Sequence, residues 1–291
     1  PPRSTLFPYT TLFRSTNRET EDIEGGAQPT ATKIAEIDWR GRLTTPITDN
    51  LREILQPTLD NYKLSVTHLN NFLDVSQGGP QGFLLDNILR FPSAKLAAAV
   101  YGTAIHLTLA WLHNSYKVDG KLPEESSILK YFSDILLRSH LSKEDFQQFN
   151  DRGKTALLAF LAVKQADFRQ EQIAELNLAG QNIVLGDARL TGQLDMVEID
   201  RTEKTITVTD YKTGKPSFDW RGKTDYEKIK LHKYRQQLMF YQLLLSRSRD
   251  YADLTFTGGQ LQFVEPDDKS GEILSLDRKS TRLNSSHTNR S

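Results

Sequence analysis

The spacing of apolar residues changes partway along the chain, and this change limits the folds that the chain can adopt. From about residue 64 to residue 168, apolar residues recur every three or four positions, and Leu96–Tyr116 predicts one long helix. From Gln172 to Lys212, apolar and polar residues alternate in short runs between turn residues, which predicts an antiparallel meander. A predicted helix over Leu231–Arg247 and a predicted strand over Leu254–Val264 follow. This order favours one α/β domain, with a mixed, largely antiparallel central sheet flanked by helices and an N-terminal helical segment.

Several shorter elements can be placed from local signals. Ser65 is a good N-cap for a helix over SVTHLNNFLDV, and FLLDNILRF predicts the next helix. Two further helices are predicted at about Glu124–His140 and Ser142–Phe168. The run ARLTGQLDMVEID, residues 188–200, is interpreted as one strand of the meander.

Both ends of the chain differ from the middle. The segments TLFPYTTLFRS and DRKSTRLNSSH read as in-frame translations of sequencing-adapter oligonucleotides, so residues 1–15 and 277–291 are interpreted as adapter-derived tails. Residues 16–61 are polar and rich in proline and threonine, which predicts a linker or the remnant of a preceding helicase domain. The predicted folded domain is therefore residues 62–276.

The composition excludes several kinds of protein. No cysteine is present, which excludes disulfides, cysteine nucleophiles, zinc–thiolate sites and iron–sulfur clusters. No apolar run approaches the roughly 18 residues that a membrane span needs, and no signal peptide is recognisable. Residues 16–276 carry 31 basic and 36 acidic side chains, a net charge of −5 that gives no support for a nucleic-acid partner. We expect a cytoplasmic protein without a membrane partner, in which any DNA-binding surface is a local basic patch.

Asp195, Asp210 and Lys212 are candidate catalytic residues. An Asp-x-Lys triplet occurs four times in the chain, but only the triplet that begins at Asp210 ends a β-patterned run. Alternation along that strand places Asp210 and Lys212 on the same side. A hairpin turn near residues 202–204 would pair this strand with the preceding one and bring Asp195 next to Asp210. The sequence therefore predicts two carboxylates and one ammonium side by side.

Two neighbouring carboxylates repel each other unless a cation lies between them. A divalent metal ion that prefers oxygen ligands suits such a pair. The alternative is that Asp195 and Asp210 are solvated residues at a sheet edge, and that Lys212 pairs with one of them. The spacing alone leaves both interpretations open.

Four motifs occur in an order that is typical of one nuclease family. They are Gly102-x-x-x-His106, Gly192-x-x-Asp195, Asp210-Tyr211-Lys212-Thr213-Gly214 and Gln237-x-x-x-Tyr241. Together with LSVTHLNNFL and AAAVYGTAIHLTL they resemble the RecB-type branch of the PD-(D/E)XK nuclease superfamily, as found at the C-terminal end of UvrD-like helicase–nucleases. The resemblance covers about residues 64–263. It implies a restriction-endonuclease-like core and a metal-dependent DNA nuclease, acting on single strands that a helicase motor in the same chain or complex delivers during DNA repair and recombination.

The resemblance also implies a metal site and a catalytic lysine. Asp195 and Asp210 would bind Mg²⁺ or Mn²⁺, His106 would add a further ligand, and the carbonyl of Tyr211 would complete the shell. A histidine ligand is unusual for Mg²⁺ and points to tolerance of Mn²⁺. Lys212 would orient or activate the attacking water and stabilise the charge of the transition state.

Three further residues take a role only through the resemblance. Gln237 and Tyr241 lie four apart, hence on one helix face, and would position the DNA strand near the metal. Glu175 is a further acidic candidate at the start of the sheet. Without the family, His106 reads as a packed core histidine, and Gln237 and Tyr241 as polar residues on a helix surface. His113 is interpreted as structural.

Residues 211–235 form the candidate DNA-binding surface, named here the basic segment. It holds eight basic and three acidic residues, interleaved with Trp220, Tyr226 and Tyr234. Basic side chains can follow the phosphates, and the aromatic rings can stack on bases. The proposed DNA contacts are Lys215, Arg221, Lys223, Lys228 and Lys230. The alternative is a solvated basic loop.

The chain departs from relatives that carry an iron–sulfur cluster, because DVSQGGPQGF occupies the place of their first cysteine. No cluster is therefore expected. KTGKPS lacks the upstream glycine of a phosphate-binding loop, so no nucleotide site and no helicase or ATPase activity are expected in this fragment. Two other functions stay open: a catalytically silent nuclease-like module that binds DNA or braces a helicase, and a stand-alone exonuclease of the CRISPR-adaptation type.

Overall fold

A computed structural model describes residues 48–92, 94 and 96–279, and those of them from residue 55 to residue 279 belong to one compact unit. The predicted N-terminal tail and most of the predicted linker lie outside these residues, as does the C-terminal tail after residue 279. The structure describes helix α1, Thr48–Asp60, inside the segment that we interpreted as a linker. Residues 277–279, the start of the predicted second tail, lie in a strand. Their adapter origin stays a prediction.

Three helices form the layer that carries His106. Helices α2, Val66–Leu73, and α3, Gly79–Phe83, precede them, and α3 continues into a π-helical turn. The layer consists of α4, Ala97–Asp119, α5, Glu125–Leu137, and α6, Lys143–Lys164. These helices match the predicted ones to within a few residues. Ser65 caps α2 as predicted, because its hydroxyl accepts a hydrogen bond from the backbone N–H of His68 at 3.2 Å.

The strands of the main sheet are β2, Gln172–Asn177, β5, Gln193–Asp200, β6, Thr205–Lys212, β7, Thr255–Phe263, and β8, Ser275–Lys279. They lie in the order β2-β5-β6-β7-β8. Neighbouring strands are antiparallel except for β6 and β7, which run parallel and are joined through helix α7, Asp225–Arg247. The predicted mixed, largely antiparallel sheet is therefore confirmed.

The predicted strand over residues 188–200 is interrupted, and its two parts belong to different sheets. Its first part, β4, Ala188–Leu190, joins β1, Lys63–Leu64, and β3, Ile183–Leu185, in a small sheet. Gly192 lies at the break, where an added Cβ would come within 2.5 Å of the Leu244 side chain. The prediction was wrong here because this close contact with a distant helix does not show in the apolar–polar alternation.

Helix α7, Asp225–Arg247, begins six residues earlier than predicted. Thr224 and Glu227 form a capping box, in which each side chain accepts a hydrogen bond from the backbone N–H groups at the start of the helix. Part of the predicted basic loop is therefore helical.

Two apolar cores cover the two faces of the main sheet. Helix α7 packs on one face against Ile206 and Val208. Helices α4, α5 and α6 pack on the other face, where Met196 and Tyr211 are buried among them. Strand β6 therefore alternates between the two cores, and this alternation directs Asp210 and Lys212 toward α7. Within the described parts of the chain, no helix is long and apolar enough to cross a membrane.

Candidate metal and catalytic site

The hairpin of β5 and β6 places Asp195 beside Asp210. The paired register runs from Asp200 opposite Thr205 to Met196 opposite Thr209, and Asp195 and Asp210 are the next residues of the two strands beyond that last pair. Opposed residues of an antiparallel pair lie on the same face of the sheet. The backbone N–H of Tyr211 also donates a 2.8 Å hydrogen bond to Oδ2 of Asp195. The predicted neighbourhood of the two carboxylates is present.

Asp210 is enclosed by hydrogen-bond donors from helix α7. Its side chain is 1% exposed, and its Oδ1 accepts hydrogen bonds from Gln237 Nε2 at 2.8 Å and from the Tyr241 hydroxyl at 3.1 Å. Burial raises the pKa of Asp210, and the positive charge of Lys212 opposes that rise. Oδ2 lies 2.6 Å from the Lys212 ammonium, but no hydrogen bond of favourable direction reaches it from the described residues.

Lys212 lies on the same side of β6 as Asp210, as predicted. Its ammonium donates a 2.8 Å hydrogen bond to Gln237 Oε1 and lies 4.5 Å from the centre of the Tyr234 ring. Burial alone would lower the pKa of Lys212, but the Asp210 carboxylate outweighs burial and raises it. Lys212 is therefore a protonated, positively charged group in this arrangement.

His106 reaches the same space from helix α4. Its Nδ1 lies 3.3 Å from Oδ2 of Asp195, and its side chain is 28% exposed. Burial would lower the pKa of His106, but the Asp195 carboxylate, helped by the charge of Asp210, raises it. His106 thus lies beside the carboxylate of Asp195 and is not a fully packed core histidine.

Glu175 of β2 completes the group. It stands opposite Asp195 at the one position where the β2–β5 ladder is interrupted, and its φ of 52° is strained for a residue with a side chain. Its carboxylate accepts a hydrogen bond from Gln193. Burial first, and then the charge of Asp195, raise the pKa of Glu175.

The donor atoms present suit a divalent cation. One ligand atom each from His106, Glu175 and Asp195 lies within 4.8 Å of the other two. The buried Oδ2 of Asp210 lies 2.6 Å from the Lys212 ammonium but accepts no hydrogen bond of favourable direction from the described residues. Like charges in a partly buried site repel each other, and a bound cation would relieve this repulsion. Carboxylate oxygens favour Mg²⁺ or Mn²⁺, and the imidazole adds to the preference for Mn²⁺. We name His106, Glu175, Asp195 and Asp210 the acidic site.

Gln237 and Tyr241 contact the Asp210 carboxylate from helix α7 (Asp225–Arg247). Tyr241 is 3% exposed, and Gln237 is half-buried. Gln237 also bridges Asp210 and Lys212, since its amide nitrogen donates to one and its amide oxygen accepts from the other. Four-residue spacing placed both on one helix face, but the sequence did not show how deeply Tyr241 is buried. A role of both residues in positioning the DNA strand stays a prediction.

Tyr211 and His113 connect the site to the core behind it. The Tyr211 hydroxyl lies 2.8 Å from His113 Nε2, and both side chains are buried. Burial lowers the pKa of His113 to about 4, so the imidazole is neutral at physiological pH. This arrangement agrees with the structural interpretation of His113. A ligand role for the Tyr211 carbonyl stays a prediction.

Two of the motif glycines permit close packing around the site. An added Cβ at Gly102 would lie 3.2 Å from Oγ1 of Thr213, so helix α4 fits tightly against the turn that follows Lys212. Gly192 allows the corresponding approach of Leu244 from α7. A larger residue at either position would crowd these neighbours, and the sequence did not reveal this steric requirement for glycine.

Several cations of the basic segment already have contacts within the protein. Arg221 pairs with Asp219 at 2.7 Å, and Lys228 pairs with Asp225 at 3.0 Å. Lys223 lies over the ring of Phe218 at 5.9 Å, and the Lys230 ammonium donates to a backbone carbonyl at 3.2 Å. Lys215, Arg221, Lys223 and Lys228 are exposed, and Lys230 is half-buried. The surface is accessible, but much of its charge is balanced by sequence neighbours.

Tyr234 was missed by the sequence analysis as a residue of the site. Its ring contacts the Lys212 ammonium, and it precedes Gln237 by three residues on helix α7. That spacing puts both on one helix face, so the motif could have identified it.

The comparisons with known proteins agree with this geometry. The family model described as the PD-(D/E)XK nuclease superfamily matches residues 63–284. The search of curated proteins gave no match. The family match spans the main sheet, helix α7 and every residue of the acidic site. The chain therefore belongs to the PD-(D/E)XK nuclease superfamily.

Proposed function

We propose that the chain is a divalent-metal-dependent deoxyribonuclease domain that hydrolyses phosphodiester bonds, with single-stranded DNA as its substrate. The observation that carries the proposal is the convergence of His106, Glu175, Asp195 and Asp210 beside Lys212, although they come from a helix and three strands. Membership of a nuclease superfamily implies hydrolysis and DNA binding.

In this proposal the acidic site holds Mg²⁺ or Mn²⁺. When bound, the ion supplies a nucleophilic hydroxide near neutral pH and neutralises charge on the transferring phosphoryl group. Gln237 and Tyr241 hold the Asp210 carboxylate in a fixed orientation through their hydrogen bonds. Fixed ligands need no rearrangement when the reaction begins.

Lys212 is assigned to charge stabilisation and to orienting the attacking water. The ammonium lies 2.6 Å from the Asp210 carboxylate, and it would donate hydrogen bonds to phosphate oxygens and to the attacking water. Gln237 and the Tyr234 ring limit the positions that the ammonium can take.

The finer assignment follows the resemblance of the four motifs. We propose a cytoplasmic RecB-type nuclease domain that acts in DNA repair and recombination and cuts strands delivered by a helicase motor. The exposed cations of the basic segment would follow the phosphates of the strand. A silent DNA-binding module has no chemical need for the complete set of Asp195, Asp210 and Lys212, which favours an active enzyme.

The test is cleavage of labelled single-stranded and duplex DNA by the full chain. We expect cleavage with Mg²⁺ or Mn²⁺, preferably of the single strand, and none with EDTA or with Ca²⁺ alone. Lys212→Ala should abolish cleavage and leave DNA affinity within a few-fold, whereas Lys215→Ala, at an exposed position nearby, should still cleave. Undiminished cleavage in EDTA would contradict the metal-dependent mechanism. DNA binding without cleavage under any metal would favour the silent module.

A further inference from the structure

Glu265 lies just beyond strand β7, next to the end of β6 that carries Lys212. The backbone N–H of the preceding residue, Val264, donates a 3.0 Å hydrogen bond to the carbonyl of Lys212. Oε1 of Glu265 accepts a hydrogen bond from the backbone N–H of Gly214 at 2.8 Å, and another from the Tyr101 hydroxyl at 3.1 Å. One carboxylate thus joins the turn after Lys212 to helix α4.

Helix α6 contacts the same carboxylate through Arg152. The guanidinium Nε donates to Oε2 of Glu265 and Nη2 donates to Oε1, both at 2.9 Å. The guanidinium also lies 5.0 Å from the centre of the Tyr101 ring. Two parallel N–H···O contacts between an arginine and a carboxylate fix orientation as well as distance. We name Glu265, Tyr101, Arg152 and Gly214 the Glu265 clamp.

The clamp holds the turn Thr213–Gly214. Gly214 has a φ of 93°, a left-handed conformation that suits glycine, and a Cβ added there would meet no atom of the described residues within 4 Å. Helix α4 also contacts this turn, at Thr213 across Gly102. The Glu265 side chain is 14% exposed, so its hydrogen bonds are partly shielded from water.

We propose that Glu265 is a positioning residue for the nuclease reaction. It fixes the turn Thr213–Gly214, and thereby fixes Lys212 at the end of β6 relative to helix α4, which carries His106. Glu265 does not act on the substrate, since its oxygens are occupied by Gly214, Tyr101 and Arg152. The inference rests on the proposed nuclease function.

Loss of the clamp should slow the chemical step and leave DNA binding intact. Small displacements of a catalytic group can lower the rate by about 100-fold, even when the change lies outside the reacting groups. Glu265→Ala should therefore lower kcat by about 10- to 100-fold with an unchanged KM, because the exposed side chains proposed to contact DNA are not partners of Glu265.

Two variants separate positioning from general stabilisation. Arg152→Gln removes the α6 contact but leaves Oε1 to Gly214 and Tyr101, so its kcat should stay within a few-fold of the original. Glu265→Gln keeps one oxygen that can accept from Gly214, and should recover most of the kcat lost in Glu265→Ala. Equal losses in Glu265→Ala and Arg152→Gln, a loss confined to KM, or an unchanged kcat in Glu265→Ala would each overturn the proposal.

Amide hydrogen exchange tests the clamp even if the chain does not cleave DNA. In the original chain the amide of Gly214 should be protected, and Glu265→Ala should remove that protection while the free energy of unfolding in urea changes little. Glu265→Gln should retain it. An unprotected Gly214 amide in the original chain, or equal protection in Glu265→Ala, would overturn the clamp. Absence of cleavage by the original chain would instead count against the proposed function, so the two failures are distinguishable.

Discussion

The acidic site and the basic segment are both rich in charge, but their charges are balanced in opposite ways. In the acidic site, each charged group contacts residues that are far away in sequence, as in the pairing of His106 with Asp195. Among the cations of the basic segment that are proposed to contact DNA, Arg221 pairs with Asp219 and Lys228 with Asp225, which are two and three residues away. In the acidic site Asp210 is buried and the other three residues are half-buried, whereas most of the proposed DNA contacts in the basic segment are exposed.

This difference predicts how each region tolerates change. Buried charges that are held by tertiary contacts lose their geometry when one partner is removed, because the remaining groups stay desolvated. Exposed pairs between sequence neighbours contribute little and are replaced by water. A single substitution in the acidic site should therefore cause a large loss of cleavage rate. Substitutions in the basic segment should each weaken DNA binding by a small amount.

The largest effect is expected for Asp210→Asn. The amide keeps the shape of the carboxylate but removes its charge, so the acidic site loses a ligand. We expect kcat to fall by more than the roughly 100-fold typical of residues that only orient a metal ligand. Asp200→Asn, at the other end of the same hairpin, is the matched control and should leave the rate unchanged. A similar rate for Asp210→Asn and the control would show that the charge of the buried Asp210 is not needed for cleavage.

A smaller effect is expected for Gln237→Ala, which removes the bridge between Asp210 and Lys212. Both groups remain, but their mutual orientation is less fixed, so kcat should fall by about 10- to 100-fold. Gln236→Ala, one residue earlier on the same helix, should change kcat by less than about twofold, as surface substitutions usually do. If both variants behave alike in steady-state cleavage, the hydrogen bonds from helix α7 are not needed for the reaction.

The pH dependence of stability should come from buried groups rather than from the basic segment. The folded-state pKa of His113 is depressed to about 4, so its contribution is present above the unfolded value of about 6.5 and is lost as the pH falls toward 4. Between pH 7 and pH 5 this loss is about 2 kcal/mol in the free energy of unfolding. His113→Gln cannot titrate, and urea unfolding of this variant should lose about 2 kcal/mol less over the same interval. Identical pH profiles for the two proteins would contradict a neutral, buried His113.

The smallest effect per residue is expected in the basic segment. Four full phosphate contacts on a single strand would lower the slope of log affinity against log salt by about 2.8 units. Because Arg221 and Lys228 already have carboxylate partners, we expect a smaller change, with kcat unaltered at saturating DNA. The variant replaces Arg221, Lys223, Lys228 and Lys230 by glutamine. The matched control replaces Lys117, Lys121, Lys143 and Lys154 by glutamine. Equal slopes of log affinity against log salt for the two variants would show that the basic segment is a solvated surface that does not contact DNA.

The part of the site that depends on strand register could be predicted from the sequence. A short hairpin turn is enough to place Asp195 beside Asp210. Alternation along the strand is enough to place Lys212 on the same side of the strand as Asp210. The start of helix α7 was also readable, since Thr224 and Glu227 have the spacing of a capping box. The basic loop was predicted too long because this capping box was not used to place the start of the helix.

The rest depends on contacts between elements that are distant in sequence. The strained backbone of Glu175, the burial of Tyr241 and the strand break at Gly192 all arise where a helix or a neighbouring strand packs against the site. Periodicity assigns residues to a face, but it does not say how deeply that face is buried. The role of Glu265 is of the same kind, because its partners come from two helices and a turn.

The binding of Mn²⁺ tests most directly whether the acidic site is one metal centre. Titration calorimetry, or the loss of the free Mn²⁺ signal in electron paramagnetic resonance, would measure the affinity without DNA. We expect the full chain to bind Mn²⁺, and Asp195→Ala and Glu175→Ala each to weaken binding by at least about tenfold. Glu203→Ala, in the turn of the same hairpin, should bind as the original chain does. Equal Mn²⁺ affinity in all four proteins would contradict a metal centre built from these residues.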